Sequence, residues 1–581
     1  MKNLKTFIPF IFILTTTFIG NFLGIQWGLP GKNTMKLLMG NEEEILEQLL
    51  PEMVKARKEI REMVKYSTQE YRHDYNENQI VVNIHNKIPI TLAKINAMRT
   101  YFLRTYYPDE HVTIIALSHI NLKRKEFSPK TPVPGSFYIY SAGLWLGVCK
   151  SLNLIKLTND TNDISFYISH PWEIGKIYLS IRVFLILTML FSTYIVWKIG
   201  NEFGRDIAFF SAFLYGISPV LNLWNHFGYY YGFAIPFIML SFLFSLKILN
   251  EDRLKYYIIA GISAGLATSV FIPYLLSGIF IFWAGCIRFL KKKSFMRSFK
   301  YTTIGITFLF IVFAVIHIFL LLDKEIMSAT IKNGAGDFKF SFQPFYFLFA
   351  SLKSAVGWPF LISAIGGYIL IIFKKREEKE TFLLLSFVVP FLVFSSFSPW
   401  YTRRGIFLIP FMAIFAGVFL TEIRKNFKLL GNIIVFFVLA WTFLYSISYT
   451  RIFMQKNIRD IAGEWINENI PEKAKIGLLQ MPAPYRTPPF QFYRYRLVPI
   501  LWNKELLEKE KPEYFIISEY EMLWQKESDI KNFFAEYYIL KHFKQLASIM
   551  GITFNRTKFS AKDFWPPNPD IIIYRRKNVE E

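Results

Sequence analysis

The stretch IRVFLILTMLFSTYIVWKIGNEFGRDIAFFSAFLYGISP, residues 181–219, contains two apolar runs joined by a short charged segment. The first run approaches the length of a helix that crosses a bilayer, and the second begins directly after a basic turn. The same alternation recurs along a chain of 581 residues that is 52% hydrophobic and 18% aromatic. With a mean hydropathy of +0.27, the sequence predicts a multi-pass α-helical membrane protein.

The basic residues are concentrated in short clusters between the apolar runs. A formal net charge of +23 would also suit a nucleic-acid-binding protein. However, clustered basic turns are typical of membrane proteins, which keep Lys and Arg on the cytoplasmic side. Basic residues also face anionic lipid head groups, so membrane lipid is the expected partner and nucleic acid is not. The clusters occur at 198–206, 247–255, 288–300, 374–380 and 424–428.

The positions of these clusters predict the topology. If all of them are cytoplasmic, together with the first five residues, eleven spans alternate around them. The N-terminus is then cytoplasmic and the C-terminus extracytoplasmic, in a plasma or inner membrane. The first apolar run follows a basic start, as in a signal peptide, but its length and the lack of a clean cleavage site indicate a retained helix. The predicted spans are 6–29, 177–198, 206–223, 232–249, 256–270, 274–290, 301–321, 356–373, 381–396, 405–421 and 429–448.

Three segments are predicted to lie outside the bilayer. The first is a long outer loop, 30–176, in which 42–66 forms an amphipathic helix and 136–152 an interfacial helix. The second is the outer loop 322–345. The third is the tail, 451–581, which follows the membrane module 1–450.

The tail contains alternating helical and β-like signals. RDIAGEWINENIP predicts a helix closed by proline, and the short runs KIGLL, EYFIIS and DIIIYRR predict strands. A small extracytoplasmic α/β domain is therefore expected. The two cysteines, Cys149 and Cys286, both lie in apolar segments. The sequence thus predicts neither a disulfide framework nor a thiol metal site.

A set of motifs follows in fixed order along the chain. The first are PDE at 108–110, KTPVP at 130–134 and SFYIYSAGLWLG at 136–147. Next come Arg182 at the opening of the second span, a basic turn with Gly204 and a span that ends in Ser-Pro at Pro219. The last are AGISAGLATS at 260–269, WYTRRGIFLIPF at 400–411 and PDIIIYRR at 569–576. Each motif alone is weak. The ordered set resembles the C-type (GT-C) glycosyltransferases of the protein O-mannosyltransferase and aminoarabinose-transferase kind, glycosyltransferase family 39, over nearly the whole chain.

This resemblance implies an enzyme that transfers a hexosyl or pentosyl group at the outer face of the membrane. The donor would be a polyprenyl-phosphate-linked sugar, acting as co-substrate, and the acceptor a protein, a lipid or a glycan of the cell envelope. The resemblance also implies that the configuration at the anomeric carbon inverts. It implies no firm cofactor. The sequence also contains no Gly-rich phosphate loop or DxD signature in a soluble domain, which argues against nucleotide-sugar transferases.

The resemblance further implies that Asp109 is the catalytic base, with Glu110 beside it as a positioning group. Transfer to a hydroxyl requires a carboxylate that takes the acceptor's proton as the new bond forms. The alternative is structural, because Asp109 also stands where it would cap the helix predicted to follow it. His111 and His119 are weaker candidates, which more often orient neighbours.

Cations or other hydrogen-bond donors are required to stabilise the departing lipid phosphate. Arg403 and Arg404 stand at the outer start of a span, where a guanidinium can bind a phosphate with two hydrogen bonds. Their alternative is ordinary snorkelling to head groups. Lys130, in the Pro-rich turn, is a further phosphate candidate.

His226 stands where members of the resembled family often carry a second acidic residue. It is therefore a candidate for binding acceptor or phosphate, or an interfacial histidine, and the departure leaves a divalent metal uncertain. The run Tyr229 to Tyr231 suits stacking on a sugar or an aromatic belt. No individual role is predicted for four charged residues of the second outer loop, Asp323, Glu325, Lys332 and Asp337.

Three other functions are compatible with a membrane protein of this size. A transporter or flippase of lipid-linked sugars would place charges in mid-span and contain symmetric halves, and the sequence has few such charges and no evident repeat. A polysaccharide ligase or polymerase would carry its chemistry on a large late loop. A non-catalytic family member would bind a lipid-linked sugar without transferring it.

Overall fold

A computed structural model describes residues 4–40, 46–55, 80–84, 88–158, 165–292, 295–323, 326, 339–374, 377–554 and 561–577. Helices dominate as far as residue 454. In the N-terminal half they are α1 Leu4–Phe22, α2 Lys32–Met39, α3 46–55, α4 Leu92–Leu103, α5 His111–Ser118, α6 Ser136–Ser151, α7 Ser165–Ser169, α8 Pro171–Phe203, α9 Arg205–Gly216, α10 Pro219–His226, α11 Tyr231–Asn250 and α12 Leu254–Thr268.

The second half of the membrane module continues the helical pattern. After a 3₁₀ turn, Ile272–Gly278, the helices are α13 Ile279–Lys292, α14 Phe295–Ile316, α15 Ile318–Leu321, α16 344–356, α17 Trp358–Phe373, α18 Glu378–Ser395, α19 Thr402–Gly405, α20 Ile409–Asn426 and α21 Lys428–Met454. A π-helical turn, Phe347–Leu352, lies within α16.

Each of the eleven predicted spans overlaps helical structure, and the span 206–223 overlaps two helices, α9 and α10. Among the described residues, six helices are long and apolar enough to cross a membrane, or seven if the bent pair α9 and α10 counts as one span. These six are Pro171–Phe203, Tyr231–Asn250, Ile272–Leu290, Met296–Ile316, Thr402–Asn426 and Lys428–Asn469. The multi-pass helical membrane architecture is thus confirmed. The count of eleven spans and the side on which each terminus lies stay predictions.

The first helix is shorter than predicted. α1 ends at Phe22 and not at residue 29, because Gly24 and Gly28 adopt positive φ angles of 79° and 63° and turn the chain. A Cβ on Gly24 would also lie 2.6 Å from the Cβ of Phe453. The predicted helix extended through these two glycines because the prediction followed the apolar run alone.

Charged residues from separate turns meet at one end of the helical module. Arg424 pairs with Asp206 at 3.7 Å, and Lys374 pairs with Glu422 at 3.1 Å. Lys379 donates to the carbonyl of Glu202 at 2.9 Å. Three of the clusters predicted to be cytoplasmic therefore lie beside one another, as a shared side of the membrane requires.

Glycines allow two helices to approach closely in the middle of the module. A Cβ on Gly261 of α12 would lie 2.0 Å from the carbonyl oxygen of Gly305 in α14, and one on Gly265 would lie 2.7 Å from that of Leu309. Small residues at such interfaces let backbones pack directly, which stabilises helix pairs in lipid. This accounts for the glycine-rich stretch 260–269.

The long outer loop is folded against the ends of the helices. Strands β1 Ile80–Ile84 and β2 Ile88–Thr91 form a hairpin that leads into α4, and α5 and α6 follow. The predicted interfacial helix 136–152 is α6, which exposes Leu144 and Val148. Of the predicted helix 42–66, only α3 falls within the described residues.

The C-terminal region contains a mixed five-stranded sheet, as the β-like runs predicted. Its strands are β5 Lys475–Leu478, β6 Arg496–Pro499, β7 Tyr514–Ser518, β8 Tyr537–Phe543 and β11 Ile571–Arg576, in the order β6-β5-β7-β11-β8. β5 runs parallel to its neighbours, whereas β11 is antiparallel to both of its own. The predicted helix before the sheet is α22 Ile458–Asn469, and the domain boundary at 450 stays a prediction.

The remaining elements are short. The helices are α23 Lys504–Glu510, α24 Glu519–Met522 and α25 Glu527–Phe533, with 3₁₀ turns at Phe492–Arg494 and Lys562–Phe564. The small strand pairs are β3 Lys339–Phe340 with β4 Phe397–Ser398, and β9 Ser548–Ile549 with β10 Ile552–Thr553. The larger sheet shares its buried side chains with the helical module, since Ile476 and Ile573 belong to the same apolar cluster as Trp27 and Tyr106.

Candidate functional site

A buried ion pair fixes the outer loop to the helical module. The Arg182 guanidinium donates to both carboxylate oxygens of Glu110, at 2.8 and 2.7 Å, and both side chains are almost completely buried. Its third donor group reaches the carbonyl oxygens of Ile25 and Trp27, each at 2.7 Å. Arg182 therefore joins α8, the end of α1 and the loop at Glu110.

Two glycines make room for this arrangement. Gly228 has a φ of +60°, and a Cβ there would lie 2.3 Å from Oε1 of Glu110. Gly135 stands before α6, and a Cβ on it would lie 2.1 Å from the carbonyl oxygen of Ser269. Gly228 therefore lets the α10–α11 turn approach Glu110, and Gly135 lets the start of α6 pack against the end of α12.

Asp109, the neighbour of Glu110, faces a different environment. Its carboxylate is 40% exposed, and its Oδ2 lies 3.2 Å from Nη1 of Arg403. The Tyr107 hydroxyl donates to the same oxygen at 3.3 Å and accepts from Arg403 at 3.2 Å. Burial raises the pKa of Tyr107 well above its ordinary value, so this hydroxyl keeps its proton. Among the described residues, Oδ1 of Asp109 receives no hydrogen bond.

Aromatic rings enclose the Arg403 guanidinium. Its central carbon lies 4.4 Å from the ring centre of Tyr401, 5.9 Å from that of Trp224 and 5.8 Å from that of Tyr229. Such rings attract a cation through their faces. The Arg403 side chain stays 22% exposed and contacts the Asp109 carboxylate.

The C-terminal region supports this arginine through Asp563. Its carboxylate accepts from the backbone N–H of Thr402 at 3.0 Å, from the Thr402 hydroxyl at 2.8 Å and from the backbone N–H of Arg403 at 3.1 Å. Asp563 thus caps the first turn of α19, whose open N–H groups attract a carboxylate. Burial raises the pKa of the Asp563 carboxyl, while Arg403 and these hydrogen bonds oppose the shift.

Arg404 points to a different partner. It is nearly buried, and its Nη1 donates to the carbonyl oxygen of Phe397 at 3.2 Å. Its guanidinium lies 5.7 Å from the ring centre of Tyr401. Of the two adjacent arginines, Arg403 is the one placed beside Asp109.

Lys130 lies in an ion pair that reaches the second outer loop. Its Nζ is 2.6 Å from Oδ2 of Asp323, and the lysine side chain is 38% exposed. The contact joins the Pro-rich turn to the loop after α15. Glu325, Lys332 and Asp337 lie outside the described residues.

His226 is fully buried at the end of α10. Its Nδ1 lies 2.8 Å from the carbonyl oxygen of Asn222, and its Nε2 lies 2.9 Å from that of Leu23. The imidazole stacks on Phe453 with ring centres 4.1 Å apart. Both ring nitrogens therefore face backbone carbonyls, and His226 links α10 to the end of α1.

The three consecutive tyrosines are also packed inside the protein. Tyr229, Tyr230 and Tyr231 are all more than nine-tenths buried, with adjacent ring centres 4.4 and 4.6 Å apart. Only Tyr229 of the three contacts Arg403 through its ring face. The run is thus neither a lipid-facing belt nor a freely exposed sugar platform.

Sequence reasoning missed two residues of this arrangement. Arg182 was recognised as a motif residue but not as the partner of Glu110, and Asp563 was not selected at all. An arginine within an apolar run is an available signal, since a buried guanidinium requires a counter-charge. Asp563 stands 161 residues from Thr402, and no local pattern connects them.

Among the described residues, no backbone N–H of α5 donates to the Asp109 carboxylate, so the structure does not support Asp109 as a helix cap. The residue before α5 is Glu110, with no side-chain cap, and the described contacts of the Asp109 carboxylate are Tyr107 and Arg403. Among the described residues, no three His, Cys, Asp or Glu side chains converge on a possible metal position.

Residues 165–319 match the family model described as dolichyl-phosphate-mannose-protein mannosyltransferase. The match covers about a quarter of the chain, from α7 to α15, and includes Arg182, the α9–α10 break and the glycine-rich α12. The resemblance to C-type glycosyltransferases is thereby confirmed in this part of the chain. No curated protein matches the sequence significantly.

Several solved structures are distantly similar. ArnT from Cupriavidus metallidurans bound to undecaprenyl phosphate is 11% identical, with a TM-score of 0.43, over 80% of this chain and 93% of that one. The Archaeoglobus fulgidus oligosaccharyltransferase is 14% identical, with a TM-score of 0.39, over 72% of this chain and 64% of that one. The arabinofuranosyltransferase AftD from Mycobacteria is 11% identical, with a TM-score of 0.35, over 81% and 39%. Similarities this weak carry no conclusion about the activity of this chain.

Proposed function

We propose that this membrane protein transfers a sugar from a polyprenyl-phosphate-linked donor to an acceptor at the extracytoplasmic face. The contact between Asp109 and Arg403 is the observation that carries the proposal. It joins a partly exposed carboxylate to a cation from a segment 294 residues away. The two groups supply the two functions that glycosyl transfer from a lipid phosphate demands, a base and a phosphate ligand.

Asp109 acts as the base in this proposal. Its Oδ2 is held by Tyr107 and Arg403, while Oδ1 accepts no hydrogen bond from the described residues. An acceptor hydroxyl that donates to Oδ1 is therefore oriented for attack, and its proton passes to the carboxylate as the new bond forms. Glu110 serves as a positioning residue, because its two oxygens are engaged by Arg182.

Arg403 binds the departing phosphate. Negative charge builds up on the lipid phosphate as the bond to the anomeric carbon breaks, and a guanidinium stabilises that charge with directed hydrogen bonds. The surrounding rings and the Asp563 cap hold Arg403 in place. Lys130 serves as a second phosphate ligand once its ion pair with Asp323 is replaced by one with the substrate phosphate. Arg404 and His226, by contrast, stabilise the fold.

The transfer is a single displacement. The acceptor oxygen bonds to the anomeric carbon from the face opposite the phosphate, the carbon–oxygen bond to the phosphate breaks, and the lipid phosphate leaves. One base and one phosphate site suffice, and the configuration at the anomeric carbon inverts.

The test is turnover by the purified protein in detergent or lipid nanodiscs, with a polyprenyl-phosphate-linked sugar as donor. Asp109→Asn keeps the size of the side chain and removes its basicity, so we expect transfer to fall by roughly 10²–10⁴-fold. Arg403→Lys keeps the positive charge but loses the paired N–H donors of the guanidinium and its contacts with the aromatic rings. We therefore expect the rate of transfer to fall by about 10²-fold. Donor binding should persist in Asp109→Asn and weaken in Arg403→Lys.

The matched control is Glu126→Gln, which neutralises an exposed carboxylate in the same outer loop. It should turn over at the rate of the wild type, and all variants should elute as the same monodisperse species. If Asp109→Asn turned over at the wild-type rate, Asp109 would be excluded as the base. Donor binding with no transfer by the wild type would favour a non-catalytic member, and net movement of intact donor across the membrane would favour a flippase.

A further inference from the structure

A cavity lies beside the candidate site, at the ends of α1, α8 and α21 nearest the outer loop. It is a groove of about 1090 Å³. Its lining includes Tyr106 but neither Asp109 nor Arg403. The Tyr106 hydroxyl bonds to Asp460 at the groove, whereas the next residue, Tyr107, bonds to Asp109. The groove and the candidate catalytic site are therefore separate spaces on two sides of one loop.

The lining changes from apolar to polar along the groove. Phe22, Leu179 and Met454 line its apolar part, and Phe22 and Met454 are exposed by 44% and 61%. Lys32, at the start of α2, and Lys456, after α21, line its polar part and are also exposed. This order matches the boundary between acyl chains and head groups at the end of a membrane helix.

Two donor groups among the lining residues lack partners. The indole N–H of Trp27 and the side-chain N–H₂ of Asn457 are buried without a hydrogen-bond acceptor among the described residues. Asn457 uses its oxygen to cap α22 at the backbone N–H of Arg459, at 2.9 Å. Buried donors normally find a partner, so these two groups beside the groove favour a ligand rich in acceptor oxygens.

The charges of the groove favour an anionic ligand. Lys32 and Lys456 contribute two positive charges, and Asp460, which accepts from Tyr106, contributes one negative charge. Lys456 also pairs with Glu464, while Lys32 lies over the ring of Trp172 at 5.3 Å. Lys32 is therefore the cation best placed to bind a head group in the groove.

We infer that this groove binds one anionic phospholipid of the surrounding membrane. An acyl chain lies along Phe22, Leu179 and Met454, and the phosphate is bound by Lys32 and the N–H groups of Trp27 and Asn457. The bound lipid bridges α1, α8 and the connection between α21 and α22. This inference does not depend on the proposed transfer reaction.

Native mass spectrometry of the delipidated protein tests the inference, with phosphatidylglycerol and phosphatidylcholine as probes. We expect wild type to retain one phosphatidylglycerol in preference to phosphatidylcholine. Lys32→Glu should lower this retention by about 10- to 30-fold, because it reverses a charge beside an anionic lipid. Asn457→Asp preserves the helix cap, replaces a donor by an acceptor, and should also lower retention.

The matched control is Lys36→Glu, one turn further along α2 on an exposed position outside the groove lining. It should retain the lipid within about twofold of wild type, since it changes the net charge identically. The inference would be overturned if both phospholipids were retained equally, or if Lys32→Glu and Lys36→Glu lost the same amount of lipid. It would also be overturned if stoichiometric undecaprenyl phosphate displaced the lipid. A monodisperse elution profile identifies variants that have folded.

Discussion

Asp109 and Glu110 are adjacent carboxylates in opposite environments. The sequence singled out the pair, which stands between an apolar run and a Pro-rich turn, and the charge pattern predicted an outer position for it. It did not distinguish the two beyond the family resemblance. The distinction arises from burial: Glu110 is enclosed with Arg182, whereas Asp109 is partly exposed beside Arg403.

Removing the charge of Glu110 should destabilise the protein strongly. Glu110→Gln leaves the buried Arg182 without its counter-charge, so we expect the free energy of unfolding to fall by about 3–5 kcal/mol. Denaturant unfolding in detergent micelles measures it. In the double variant Glu110→Gln with Arg182→Met, the free energy of unfolding should fall by less than the sum of the falls in the two single variants. Full additivity would show that the two residues do not act as a pair.

Gly228 provides a second prediction at this scale. Gly228→Ala requires a positive φ of an L-residue and moves Oε1 of Glu110, since the added Cβ would lie 2.3 Å from it. We expect a loss of about 1–3 kcal/mol in the free energy of unfolding. Gly147 in α6 has open space around its Cβ position, so Gly147→Ala should be neutral or stabilising. Equal effects of the two substitutions would contradict the close contact.

At the scale of elements, most helices followed from apolar length and the spacing of basic turns. The exceptions have local causes, such as the glycines that end α1 at Phe22. The predicted strands around 476, 516 and 573 lie in one sheet, but the order of the strands was not predicted. The contact of Asp563 with α19 could not be anticipated either, because it joins two short turns that are far apart in the chain.

The pH dependence of stability tests the burial of Asp563. Its folded-state pKa lies above the ordinary value of 3.8, so the folded protein keeps a proton that the unfolded chain has lost. The corresponding stability is fully present below the ordinary value and is lost as the pH rises through the folded one. We expect the Tm of wild type minus that of Asp563→Asn to fall as the pH rises above the ordinary carboxyl pKa of 3.8. A Tm difference that is constant or rises with pH would contradict this.

At the scale of the whole molecule, the charge pattern predicts which end faces the cytoplasm. The pairing of Arg424 with Asp206 and of Lys374 with Glu422 brings the predicted inner turns together. Asp109, Arg403 and the C-terminal sheet lie together at a different set of helix ends. The topology predicted from the charge pattern therefore puts Asp109 and Arg403 on the same side, while their direct contact depends on how the outer loop folds.

Cysteine accessibility tests this orientation. Cys149 and Cys286 can be replaced first, and single cysteines then introduced at the exposed positions Lys509 and Lys425. We expect a membrane-impermeant maleimide to label Lys509→Cys in intact cells, because the charge pattern predicts an extracytoplasmic C-terminal region. Lys425→Cys should react only after permeabilisation, and the reverse pattern would contradict the predicted topology.

The central claim is that Asp109 drives transfer of a sugar from a lipid phosphate. Mass spectrometry of glycans and lipids tests it most directly in a strain that lacks this protein and is complemented with wild type or Asp109→Asn at equal expression. We predict that one glycoconjugate disappears in the deletion strain, returns with wild type and stays absent with Asp109→Asn, while its polyprenyl-phosphate sugar donor accumulates. Return of the conjugate with Asp109→Asn, or an unchanged profile in the deletion strain, would contradict the account.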